Sequence, residues 1–72
     1  MPPMDNEQIM KLKTSNNEKA LKLVKDSFKQ ISSIEISEDN RLIIQGPIDE
    51  MAGILLLIQR SGITVHEVFV CG

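Results

Sequence analysis

From Ile9 to Thr14 apolar and polar residues alternate. Met10, Leu12 and Thr14 fall on one side; Ile9, Lys11 and Lys13 fall on the other. A period of two with lysines on one face predicts a half-buried strand. Ser15-Asn16-Asn17 follows, with side chains able to accept from the free N–H groups of a helix start. The period then changes. Ala20, Leu21, Val24, Phe28 and Ile31 share one helical face, while Glu18, Lys19, Lys22, Lys25, Asp26 and Lys29 share the other. This predicts an amphipathic helix running to Gln30.

Ser33–Ser37 alternates again, with Ile34 and Ile36 inward, and Arg41–Gln45 forms a matching run beyond the turn Glu38-Asp39-Asn40. Two alternating runs around such a turn predict a β-hairpin. Gly46-Pro47 ends it. Pro47 suits the first turn of a helix, where a missing N–H costs nothing, and Asp49 and Glu50 favour the positive end of the helix dipole. This second helix is expected to reach Arg60-Ser61, with Gly62 as a left-handed cap. Its expected core face is Ile48, Met51, Ala52, Leu55 and Ile58. The run Ile63–Val70 is rich in Val and Ile and predicts a last strand, with a slip of alternation between His66 and Glu67 that marks a bulge.

The order strand, helix, strand, strand, helix, strand is the ferredoxin-like βαββαβ plan: an α+β fold with a four-stranded antiparallel sheet and both helices on one face. Residues 1–8, with Pro2 and Pro3, are expected to be a flexible leader, and 9–72 a single α+β domain.

Composition narrows the function. The single cysteine, Cys71, rules out an internal disulfide and fits a reducing compartment, most simply the cytoplasm. With only Cys71 and His66 as soft ligands, the usual four-ligand structural zinc site has no basis. Six lysines against Asp5, Glu7, Glu18 and Asp26 leave residues 1–30 slightly basic, and the remainder is acidic. The asymmetry is too small to indicate nucleic acid. RNA-recognition domains of this plan stack bases on sheet aromatics. Here there are only Phe28 and Phe69, the first already assigned to a helix core face. No apolar run approaches the roughly 20 residues that cross a bilayer.

Catalytic motifs are equally absent. Gly46, Gly53, Gly62 and Gly72 are scattered and form no phosphate cradle. His66 and Cys71 lie five apart on one expected strand, so in a regular strand they face opposite ways. Asp49 and Glu50 are adjacent helix residues pointing in different directions. No catalytic, cofactor or metal residue is assigned. The remaining anomaly is Gly53-Ile54-Leu55-Leu56-Leu57-Ile58, which is apolar nearly all round. Leu57 lies opposite the centre of the expected core face and Ile54 toward that side. These two are therefore the expected protein-contact residues.

The runs Met10-Lys-Leu-Lys-Thr-Ser-Asn-Asn-Glu-Lys-Ala20-Leu, Ile43-Ile44 and Leu56-Leu-Ile-Gln-Arg-Ser-Gly-Ile-Thr-Val65 resemble the C-terminal appendage of ABC transporter ATP-binding subunits of the bacitracin- and lantibiotic-export type. The likeness spans Ile9–Val70. Such appendages follow a full ATPase and end in an acidic-Leu-Phe helix. The nucleotide motifs are missing here, and Glu67-Val68-Phe69 is only a faint counterpart of that ending. The chain is thus expected to be an excised domain or an independent protein of the same plan. The resemblance implies a non-enzymatic accessory or regulatory role beside an ATPase, with no catalytic residues to carry over. The expected partner is a protein or a second copy, with no nucleic acid and no direct membrane insertion. A small-ligand-sensing dimerisation module and a stand-alone inhibitor or adaptor are the alternatives.

Overall fold

The computed structural model describes residues 7–71. The elements are β1 (Glu7–Thr14), α1 (Asn17–Ser27), β2 (Ser33–Ile36), β3 (Leu42–Pro47), α2 (Ile48–Arg60) and β4 (Val65–Cys71). The strands form one antiparallel sheet in the order β2-β3-β1-β4. This is a ferredoxin-like α+β arrangement, as the alternation of periods predicts. β1 begins at Glu7 and so takes Glu7 and Gln8 from the expected leader; the rest of that leader lies outside the described residues.

Register explains the layering. Met10 pairs with Ile44 and Leu12 with Leu42, and all four side chains are fully buried. Directly opposed residues point to the same side of a sheet. The covered face is therefore that of the even-numbered residues of β1 and β3. Ala20 and Val24 of α1 join Met51, Ile54 and Ile58 of α2 in the same core, so both helices lie on this one face.

α1 starts where expected. The Asn16 side chain accepts from the Lys19 N–H at 3.1 Å. It stops at Ser27, before Gln30, because Phe28 adopts extended backbone while its N–H still donates to the Val24 carbonyl. The ring of Phe28 then rests over Gly53 of α2. Pro47 is the residue before α2 rather than part of its first turn, with φ −62° and ψ 138°. Gly62 takes φ +85° and closes the helix as a left-handed residue.

The phase of α2 differs from expectation. Its buried residues are Met51, Ile54 and Ile58, whereas Ile48 and Ala52 are exposed and Leu55 is half-buried. The core face is turned by roughly 60° from the one the pattern indicates, at 3.6 residues per turn. Only the middle of α2, Gly53–Ile58, is apolar on every side. Asp49, Gln59 and Arg60 at its two ends are exposed and define a polar side opposite Met51, Ile54 and Ile58, and the rotation follows these ends.

Candidate functional site

Ile54 was expected on the solvent side of α2, and the structure corrects this. It is fully buried beside Met51 and Ile58 and is unavailable to a partner. Leu57 is half-buried and stands outside the core group. The large apolar residues that α2 exposes are Ile48, at its start, and Leu56, which is half exposed.

The larger apolar surface lies elsewhere, on β4. The strand has one neighbour, β1, and its other edge is free among the described residues. The helices rest chiefly on β1, β2 and β3. Val68 is opposite Leu12 and Val70 opposite Met10, so both valines belong to the helix-covered face. Yet they are 41% and 51% exposed, because the helix layer ends before it reaches them. Phe69 is opposite Lys11 on the other face and is 49% exposed. Three consecutive large apolar side chains thus project on both sides of an open strand edge.

Charge borders this strip at one end. The Arg41 guanidinium lies 5.4 Å from the centre of the Phe69 ring and 3.3 Å from a Glu67 carboxylate oxygen. Arg41 also reaches Asp39 at 3.5 Å. These contacts tether β4 across β1 to the start of β3 and hold Phe69 on its face of the sheet.

The expected bulge is present. Lys13 pairs with Glu67 and Thr14 with Val65, which leaves His66 without an opposing residue. His66 therefore sits at one end of β4 and Cys71, opposite Ile9, at the other; both are exposed. Asp49 is exposed and Glu50 half-buried at the start of α2. Among the described residues, no three His, Cys, Asp or Glu side chains gather as a metal site would require. An open groove of about 470 Å³ runs beside α1, lined by Asn16, Glu18, Lys19, Leu21, Lys22 and Ile36. Its charged groups belong to a solvated helix face and none is buried.

Pattern reading marked Ile63–Val70 as a strand but left open which of its faces is covered. The missing signal was topological. In this strand order the last strand is an edge, and helices can cover only one of its faces. The chain matches no family model, no curated protein and no solved structure.

Proposed function

We propose that this chain is a non-enzymatic accessory or regulatory domain that binds protein, working beside an ATP-binding subunit of an ABC transporter. The observation that carries the binding role is the free β4 edge with Val68, Phe69 and Val70 exposed along it. An open edge offers unpaired N–H and C=O groups to an incoming strand, and alternate side chains on its two faces supply specificity. The transporter setting rests on the resemblance across Ile9–Val70.

The edge strands differ in a way that supports this reading. β2, at the other side of the sheet, is short, carries Glu35, and turns Ile34 and Ile36 toward the core. Natural sheets protect edges in this manner, with short strands and charge. Beyond Glu67, β4 has no charged residue and no proline. An edge left unguarded in a chain that guards its other edge is suited to being covered.

The test is titration of the labelled chain with an ATP-binding subunit of the bacitracin-export type from which its own C-terminal appendage has been removed. Saturable binding that Val70→Lys abolishes and Leu56→Lys retains is the expected result. Absence of binding by the unaltered chain defeats the transporter assignment. In the same assay Mg-ATP alone should leave the amide signals of Gly46–Glu50 unmoved.

A further inference from the structure

The occupant of the β4 edge can be named from the strand itself: we propose that it is a second copy of this chain. The two copies would pair β4 to β4 antiparallel about a two-fold axis at Phe69, joining their sheets into one of eight strands. The inference rests on the reading of β4 as a protein-binding edge; since β4 has one open edge, the second copy occupies it in the free chain and the ATP-binding subunit would displace that copy.

Self-pairing of an antiparallel edge requires a sequence that tolerates its own reversal. With the axis at Phe69, Val68 of one copy lies opposite Val70 of the other, Phe69 opposite Phe69, and Glu67 opposite Cys71. Every half-exposed apolar residue of the strand then meets an apolar residue, and no like charges face each other. Registers shifted toward the start of β4 fail on charge or polarity, and a shift to Val70 leaves Val68 without a partner inside the strand. An axis at Glu67 sets two carboxylates directly opposite each other, a destabilising pair. An axis at Val68 places Glu67 against Phe69 and His66 against Val70. A dyad perpendicular to the sheet keeps both helix layers on one side, so Val68 and Val70 of each copy lie in the gap between those layers. That gap is where the helix cover of each copy now stops.

The surface also sets the strength. In this register β4 pairs over Glu67–Cys71, five residues per copy, against the 20–30 per side of a standard interface. The pair should therefore be weak and reversible, with a dissociation constant in the range of about 10 µM to 1 mM.

Sedimentation velocity of the unaltered chain across that range tests the proposal. The expected result is a monomer–dimer equilibrium that Val70→Lys shifts at least tenfold toward monomer and Leu56→Lys leaves in place. Isotope-filtered NOEs on the unaltered dimer should connect Val68 methyls of one copy with Val70 methyls of the other, a readout that needs no variant. A chain that stays monomeric to 1 mM, or a dimer lacking these NOEs, overturns the proposal. If such a monomer still captures the ATP-binding subunit, the second copy is excluded as occupant while the docking role of β4 stands. If the dimer forms as described and the subunit is not captured, the transporter assignment falls alone.

Discussion

The side-chain amide of Asn17 donates to the backbone carbonyl of Asn40 at 2.7 Å, joining the first turn of α1 to the β2–β3 turn. Its other end is equally engaged, with Asn17 Oδ1 accepting from the Thr14 N–H at 3.2 Å and the Thr14 hydroxyl at 2.5 Å. Asn17 and Thr14 are the buried polar residues of the domain among those described, and each is satisfied.

Removing one member of this bridge should be costly. Asn17→Ala leaves the Thr14 groups without their shared acceptor and should cost about 1–3 kcal/mol. Asn40→Gly should do little, since the main acceptor is backbone and φ is 62° at this position, where glycine is at ease. Urea unfolding of the two variants provides the comparison. Equal losses would show that the Asn40 side chain, not its carbonyl, carries the link.

Two glycines should respond in opposite directions to alanine. A Cβ at Gly46 would meet Ile31 Cγ2 at 2.8 Å and Ile31 Cα at 3.2 Å, so backbone as well as side chain must yield. Gly46→Ala should lower the melting temperature. At Gly53 the nearest atoms are in the Phe28 ring at 3.5 Å, an ordinary contact. Gly53→Ala should gain helix propensity of about 0.5–1 kcal/mol, or roughly 2–8 °C for a domain of this size.

The rotation of α2 makes a sharp contrast. Ile54→Ala should cost about 2–5 kcal/mol, the usual range for truncating a fully buried Ile. Leu56→Lys should stay within about 0.5 kcal/mol, as surface changes do. Leu57→Lys should fall between them. Thermal melts that show Leu56→Lys as damaging as Ile54→Ala would place Leu56 in the core.

The hairpin turn predicts a pH response. The Ser37 hydroxyl donates to the Asp39 carboxylate, and with the nearby Arg41 and Lys11 charges it holds that carboxyl below its ordinary value. A carboxyl lowered in the folded chain stabilises the fold above its unfolded pKa, and that contribution is lost as pH falls through the folded value. Asp39 is exposed, so the effect belongs to the turn. Carbon-detected NMR titration should find Asp39 titrating low and Ser37→Ala raising it; an unchanged midpoint would refute the role of the hydroxyl.

Much of the fold is legible in one dimension because its elements differ in period. Met10 and Leu12 against Lys11 and Lys13 mark β1, and Ala20 and Val24 against the lysines mark α1. The slip at His66 also corresponds to a real bulge. What fails is whatever depends on a neighbour. Phe28 leaves the helix pattern to reach Gly53, while the inward turn of Ile54 was written in the polar ends of α2, Asp49, Gln59 and Arg60, and was hidden by the apolar run between them. Val68, Phe69 and Val70 read simply as part of a strand, and it is strand order that sets them at a rim.

β1 is central in the sheet but precedes both of its partners in the chain. Its earliest pairing, Leu12 with Leu42, closes around α1 and all of β2. During synthesis the β2–β3 hairpin can zip locally, Ile36 to Leu42, while β1 must wait with both edges open and Met10 and Leu12 in water. Loop closure of this length slows folding, and unpaired strands are where nascent chains misassociate. The ribosome therefore exposes the centre of this domain first and supplies its flanks last, so the hazardous interval in its biogenesis runs from the emergence of β1 to that of β3.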